Sequence, residues 1–183
     1  MGEAFAWLGE IVGWVGRWIP RLNIIDTTQG YVKFVGGKRL VSGGAGLVFH
    51  WPLITKILIM SVVRDSLNCK SQTITLPSGD TVLVEAIVIF EVRDIERLAA
   101  HTADSFATIA DLTAGAVLTV IEGIASWDEL QKMSTRQPRA RDSELNYRLK
   151  EEVQRALDTY GVTTLAVFLQ NKAKTRVIRL VQD

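Results

Sequence analysis

The sequence is poor in the residues that build catalytic and metal sites. Its 183 residues include one cysteine, Cys69, and two histidines, His50 and His101. A single cysteine excludes an internal disulfide and a zinc site built from cysteine pairs. Lysine and arginine number 21 against 20 aspartates and glutamates, whereas a charge-driven nucleic-acid binder needs a clear basic excess. We therefore predict no enzyme activity, no metal site, no cofactor and no nucleic-acid partner.

The first twenty residues are apolar and unusually rich in tryptophan and glycine. Residues 4–19 contain three of the five tryptophans and only two charged side chains, Glu10 and Arg17. On a helix the bulky side chains share one face and the glycines share the other. The predicted membrane-binding residues are Phe5, Trp7, Leu8, Ile11, Val12, Trp14, Val15, Trp18 and Ile19. The predicted oligomerisation residues are Gly9, Gly13 and Gly16, because small residues four apart let helix backbones approach in a membrane.

The length of this segment leaves its orientation open. As a helix it would rise about 25 Å, just short of a hydrocarbon core of about 30 Å. It could therefore span a thin patch, enter one leaflet or lie flat in the interface. A helix packed in the core or at a subunit contact is the competing interpretation. Positive residues follow the segment rather than precede it, which predicts a membrane location with the main domain on the cytoplasmic face.

Turn signals and alternating residues predict strands after Pro20. Gly36-Gly37 indicates a hairpin turn, and residues 42–46 indicate a second turn. Residues 82–92 alternate between apolar and more polar side chains, which is typical of a half-buried strand, and residues 77–80 form the turn before it.

Helical patterns follow these strands. Asp104 can cap one helix, Ser126 opens a second through a capping box, and Asp142 begins a third that ends at Gly161. The side chains expected to be buried on the first of these helices are Ile109, Leu112, Ala116, Val117 and Val120. A final strand is expected over residues 162–169. Strands followed by helices and a last strand indicate an α+β fold.

The order of these pieces resembles the SPFH family (stomatin, prohibitin and flotillin, also called Band 7). The stretches that carry the resemblance are residues 29–36, 44–52, 62–64, 75–94, 120–130 and 160–162. Among them, residues 62–64 resemble the family's arginine-bearing strand, and residues 75–94 resemble its core strand pair. Two departures stand out: residues 114–117 lack an arginine that members often carry, and the sequence stops at Asp183, where larger relatives continue into a coiled coil. Assembly is therefore expected to rest on contacts of the domain and the membrane segment.

The resemblance implies an SPFH-like domain, a twisted antiparallel-rich sheet with packed helices, preceded by an N-terminal membrane helix. We expect a membrane-associated helix at residues 1–20, a β subdomain at 21–65 and an α+β subdomain at 66–183. The implied function is a membrane-anchored scaffold that homo-oligomerises into a ring or closed array and contacts lipid. Its implied partners are membrane proteins, in some members a membrane protease. The alternative is a soluble α+β binding module whose apolar N-terminal helix is a subunit contact.

Two further features have competing interpretations. Cys69 is expected to be a buried, unreactive thiol rather than an acylated or redox-active one. The basic tail formed by Lys172, Lys174, Arg176 and Arg179 is either a solvated end or a contact for anionic lipid or an acidic partner.

Overall fold

The computed structural model describes residues 6–16, 18–135 and 144–175. The chain divides into two compact units, Met1–Val63 and Arg64–Asp183, which we call unit 1 and unit 2. The corresponding boundary expected from the sequence lies after residue 65.

Unit 1 is built from one short helix and five strands. Its elements are α1 (Ala6–Gly16), β1 (Arg21–Ile25), β2 (Gln29–Val35), β3 (Arg39–Gly43), β4 (Gly46–His50) and β5 (Thr55–Ser61). Strands β1 and β4 pair as an antiparallel two-stranded ribbon, and β3, β2 and β5 form a three-stranded antiparallel sheet in that order. Gly36 and Gly37 adopt φ values of 58° and 74°, which a tight hairpin between β2 and β3 requires. The predicted turn is confirmed.

The described N-terminal helix ends earlier than the sequence predicts. Helix α1 has 11 residues and rises about 16 Å, so Trp18 and Ile19 lie beyond its end. Phe5 and Arg17 fall outside the described residues. Among the helices that the structure describes, one is long and apolar enough to cross a membrane, Ser105–Glu122. That helix lies in unit 2, so an N-terminal membrane-spanning helix is not shown.

Unit 2 is a sheet with helices. Its elements are β6 (Asp65–Asn68), β7 (Gln72–Thr75), β8 (Thr81–Val92), α2 (Ile95–His101), α3 (Ser105–Glu122), α4 (Trp127–Thr135), α5 (Glu144–Asp158) and β9 (Val162–Thr175). Strand β8 is central: it pairs with β6 and β7 along one edge and with β9 along the other, in every case antiparallel. The α+β class with antiparallel sheets is confirmed.

The core of unit 2 lies against one face of β8. The buried side chains of that strand's inner face are Val82, Val84, Ala86, Val88, Phe90 and Val92, as the alternation predicts. Helix α5 packs on β9 and on α3. It buries Leu145, Leu149, Val153 and Leu157, an i, i+4, i+8, i+12 row that presents one apolar stripe.

Helix α3 is capped as expected, but the face that it buries differs from the predicted one. The Asp104 carboxylate accepts a hydrogen bond from the Ala107 amide at 3.1 Å. The buried side chains of α3 are Ile109, Thr113, Ala116, Val117 and Ile121. Leu112 and Val120, which the sequence analysis expects in the core, are only half-buried. The row that meets α5 and the sheet runs in steps of four from Ile109, and tertiary packing rather than residue hydrophobicity selects it.

Other boundaries also differ from the sequence-based expectations. Residues 62–64 form no strand and lie between β5 and β6, helix α2 is not anticipated, and β9 extends to Thr175. The cap at Ser126 is confirmed, because its hydroxyl accepts a hydrogen bond from the Glu129 amide at 3.3 Å. The expected loop over residues 136–141 and the expected start at Asp142 lie outside the described residues.

Candidate functional site

The histidines of the chain occupy structural positions. His101 ends α2, and its Nδ1 lies 2.8 Å from the Arg97 carbonyl oxygen. His50 is half-buried on β4, with a buried Nδ1. Within the described ranges, no group of three or more histidine, cysteine, aspartate or glutamate side chains is placed to hold a metal ion.

The single thiol is protected by burial. Cys69 is 7% exposed, and its Sγ lies 3.9 Å from the Ala110 carbonyl oxygen. Burial raises the pKa of the thiol to about 11, so at neutral pH it is almost entirely protonated. Since the thiolate is the reactive form, the environment of Cys69 is that of a structural residue.

A groove of about 530 Å³ lies between α5 and β9 in unit 2. Its lining residues are Glu144, Asn146, Tyr147, Lys150, Leu165, Ala166 and Val167. Glu144 is already paired with Arg148 at 2.5 Å. The lining contains no hydroxyl or thiol nucleophile beside a histidine base, the arrangement that nucleophilic catalysis needs.

The most distinctive surface of the molecule is apolar and belongs to unit 1. The exposed large apolar side chains of unit 1 are Trp7, Trp14, Trp18, Ile19, Leu22, Ile24, Leu47, Phe49, Trp51, Leu53, Ile54, Ile59 and Val63. In the described part of unit 2 the corresponding residues are Phe106 and Tyr147. Soluble monomers rarely expose large contiguous apolar patches, and such surfaces mark contacts with membranes or other proteins.

Helix α1 has exposed residues among both its tryptophans and its glycines. Trp7 and Trp14 are 56% and 61% exposed. A Cβ atom added at Gly9, Gly13 or Gly16 would meet no other atom within 4 Å. The structure describes no side-chain surroundings for Leu8, Ile11, Val12 and Val15. The side chains of Trp7 and Trp14 are therefore not packed in the core of unit 1.

The β1–β4 ribbon carries a second exposed apolar face. Leu22 lies opposite Phe49 across the ribbon, and Ile24 lies opposite Leu47. Because side chains alternate along a strand, these four share one face, which we call the ribbon face. Their exposed fractions are 60%, 54%, 76% and 71% for Leu22, Phe49, Ile24 and Leu47. The other face of the ribbon contributes Ile25 and Val48 to the interior of unit 1.

Hydrogen bonds connect the ribbon to the residues around it. The Trp51 indole N–H donates to the Trp18 carbonyl, and the Trp14 and Trp18 rings are 5.7 Å apart. The turn after β4 bonds internally: the amides of Ile54 and Thr55 donate to the Trp51 carbonyl at 3.2 and 2.9 Å. This turn presents Leu53 and Ile54, both exposed, beyond the end of the ribbon.

Charge is distributed unequally between the two units. Residues 1–63 contain six lysines and arginines and three acidic residues, whereas residues 64–183 contain 15 and 17. Unit 1 is therefore the positive part of the chain. This distribution favours contact of unit 1 with an anionic surface.

The described half of the basic tail is not a free cluster of positive charges. Lys174 Nζ pairs with Asp80 at 2.7 Å. Lys172 Nζ is buried without a hydrogen-bond partner, and burial lowers its pKa. Arg176 and Arg179 lie outside the described residues. Exposed positive residues of unit 1 include Arg21, Lys38 and Lys56.

Sequence reasoning found the tryptophan-rich segment and missed the ribbon face. The composition of residues 22–24 and 47–49 is compatible with strands. A strand pattern does not show, however, which side of the strand is covered by other elements. The available signal was that each strand contains consecutive apolar residues, Ile24-Ile25 in β1 and residues 47–49 in β4, and these fall on both faces. In a two-stranded ribbon, such a composition leaves one apolar face unpaired unless something outside the unit covers it.

Comparison with known proteins agrees with this architecture. Residues 23–172 match the family described as SPFH domain / Band 7 family, so the match begins within β1 and ends within β9. No curated protein matches the chain.

Proposed function

This chain belongs to the SPFH domain / Band 7 family, and from that premise we propose that it is a membrane-attached scaffold rather than an enzyme. Members of the family are generally non-enzymatic scaffolds and generally associate with membranes. The scaffold homo-oligomerises into a ring or closed array and organises lipid or partner membrane proteins, of which a membrane protease is one candidate.

The exposure of the tryptophans of α1 carries the proposal of membrane attachment. Tryptophan favours the boundary between headgroups and acyl chains, and Trp7 and Trp14 are more than half exposed. The 11 described residues of α1 do not by themselves cross a hydrocarbon core of about 30 Å. Helix α1 therefore lies in the interface with its apolar face toward the acyl chains. The positive residues that follow it hold the domain on the cytoplasmic face.

The glycine face of α1 supports the proposal of self-assembly. Gly9 and Gly13 are four residues apart, and a Cβ atom added at either would meet no atom of the described residues within 4 Å. Small residues at this spacing allow a second helix to approach closely in a lipid environment. Copies would then contact each other through α1.

Vesicle flotation of the full chain tests attachment. We expect the double substitution Trp7→Ser and Trp14→Ser to lower the fraction bound to vesicles by about tenfold or more, because two interfacial anchors are lost. Tyr147→Ser is the matched control, since Tyr147 is an equally exposed aromatic residue in unit 2. Equal flotation of the tryptophan variant and the wild type would contradict attachment through α1.

The same variants separate the scaffold from the soluble alternative, in which α1 is a subunit contact. The exposed glycine face of α1 is compatible with that function as well. If wild-type protein does not float, and the tryptophan variant has a smaller particle mass than wild type without vesicles, the soluble alternative is correct.

A further inference from the structure

We propose that the ribbon face, formed by Leu22, Ile24, Leu47 and Phe49, is a second bilayer-contacting surface that prefers anionic lipid. The proposal rests on the membrane attachment proposed above and adds a separate site to it. Unit 1 would then lie on the bilayer through its own strands, in addition to the contact that α1 makes.

The exposed face of the ribbon is apolar, whereas the water-facing side of a sheet in a soluble protein is normally polar. An antiparallel sheet that is wet on one side normally places polar side chains on that side. Here the exposed side carries two directly opposed pairs of large apolar residues, and Ile24 is the most exposed of the large apolar side chains described. The exposed apolar residues Ile19, Leu53 and Ile54 adjoin the ribbon in the chain. A face of this composition is suited to a nonpolar environment.

The backbone around the ribbon face is compatible with entry into the interface. An unpaired backbone amide or carbonyl is costly where water is scarce. Strands β1 and β4 pair over their full length, from Arg21 opposite His50 to Ile25 opposite Gly46, so the backbone groups on their facing edges are hydrogen-bonded. In the following turn, the Ile54 amide donates to the Trp51 carbonyl, and the Ile54 carbonyl accepts from the Gly36 amide at 2.8 Å. The backbone amide and carbonyl of Ile54 therefore both have hydrogen-bond partners within unit 1.

Charge favours anionic lipid over a second copy of this chain as the occupant. Lys33 Nζ lies 2.9 Å from the Phe49 carbonyl oxygen, which places an ammonium group beside the ribbon. Arg21 begins β1 and is exposed. Asp26 is the only acidic residue in the sequence between residues 11 and 64. Two ribbon faces brought together would therefore oppose like charges, whereas an anionic leaflet supplies the opposite charge.

The first test is vesicle binding by the full chain carrying Ile24→Gln and Leu47→Gln. These two residues face each other across the ribbon and are largely exposed, so the substitutions leave the interior of unit 1 intact. We expect binding to vesicles containing one third phosphatidylglycerol to fall by about tenfold or more, because two large apolar contacts are lost. Tyr147→Gln is the control and should bind as wild type does.

A fluorescent probe gives a second readout that does not depend on a loss of vesicle binding. Ile24→Cys, labelled with an environment-sensitive dye, should shift to shorter wavelength when anionic vesicles are added. The same dye on Tyr147→Cys should not shift. Labelling is selective, since the native Cys69 is buried with a raised pKa of about 11.

The outcomes distinguish this inference from the proposed function. Unchanged binding of the ribbon variant, with no shift at position 24 and lost binding of the tryptophan variant, overturns the inference alone. The inference is also overturned if the dye at position 24 shifts at high protein concentration in the absence of vesicles. In that case a second copy of the chain covers the ribbon face. Equal binding of the wild type to neutral and anionic vesicles overturns the preference for anionic lipid. Absence of wild-type binding to any vesicle overturns the proposed function itself.

Discussion

At the scale of single residues, Gly161 joins three elements of unit 2. It follows α5 with a φ of +71°, and its carbonyl accepts hydrogen bonds at 3.0 Å from the amides of Arg93 and Asp94. A Cβ atom at this position would lie 2.6 Å from the Cβ of Asp94 and 2.9 Å from its carbonyl oxygen. Both the backbone conformation and the close approach therefore require glycine.

We expect Gly161→Ala to lower the free energy of unfolding by about 2–4 kcal/mol, measured by urea denaturation. The left-handed backbone accounts for about 1 kcal/mol of this, and overpacking against Asp94 accounts for about 1–3 kcal/mol. Gly79→Ala separates the two causes, since Gly79 has a φ of +84° but a Cβ added there would meet no atom within 4 Å; it should cost about 1 kcal/mol. Equal losses at the two positions would show that the contact with Asp94 is unimportant.

A second residue-scale prediction concerns Asp80, the carboxylate in the turn between β7 and β8. The hydrogen bond from Lys174 is the main reason that the pKa of Asp80 lies below its usual 3.8. A lowered pKa means that the folded state binds a proton less readily than the unfolded state. The resulting stabilisation is present above about pH 4 and is lost as the pH falls through the folded pKa.

Lys174→Met should therefore lower the Tm at pH 7 and have less effect as the pH falls below 4. Thermal melts of wild type and variant from pH 7 to pH 2.5 measure this convergence. Lys150→Met serves as the control, because it removes an exposed lysine of α5 away from Asp80. A Tm difference between wild type and Lys174→Met that is constant across this range would exclude the ion pair as its cause.

At the scale of elements, β9 is an edge strand, and a side chain forms hydrogen bonds with the outward-facing backbone groups of its first residues. Gln154 of α5 donates from its amide to the Val162 carbonyl at 3.3 Å and accepts from the Thr164 amide at 2.7 Å. The side-chain amide thus takes the place of a neighbouring strand. Just beyond it, the pairing of β9 with β8 shifts register between Ile89 and Phe90. Such irregularities discourage further strand addition at an edge.

We expect Gln154→Ala to lower the free energy of unfolding by about 1–3 kcal/mol, because two part-buried backbone groups lose their partner. Hydrogen exchange of the Thr164 amide should become faster at the same time. Gln170→Ala, an exposed glutamine of the same strand, should change stability by less than about 0.5 kcal/mol. Unchanged protection of Thr164 in the Gln154 variant would contradict this assignment.

The elements also show where sequence patterns are informative. Strand β8 could be predicted because every second residue from Val82 to Val92 is apolar, and Asp104 marks the start of α3 through its cap. Helix α2 has seven residues, too few for a clear helical period. The predicted buried row of α3 was wrong because Leu112 and Val120 are as apolar as the residues that α5 and the sheet actually cover. Hydrophobicity identifies a helix more reliably than it identifies the covered face.

At the scale of the whole molecule, the proposed assembly leads to a prediction about particle mass. Gly9→Leu and Gly13→Leu fill the open face of α1, so neighbouring helices could no longer approach closely. We expect a several-fold smaller particle in detergent by light scattering. Gly115→Leu is the matched control, because Gly115 is also an open helical glycine but lies in α3. A wild-type particle mass in both α1 variants would contradict assembly through this face.

The sequence alone determined the α+β class, the family resemblance, the main turns, the caps of α3 and α4, and the apolar character of the first segment. These depend on local pattern, since alternation, glycine turns and capping side chains act within a few residues. The match over residues 23–172 confirms the resemblance. Only the tertiary structure decided that α1 ends before Trp18, that Lys174 is paired, and that the ribbon face is uncovered. Each of these depends on which distant residues meet, and one strand's pattern is the same whether its outer face meets protein, water or lipid.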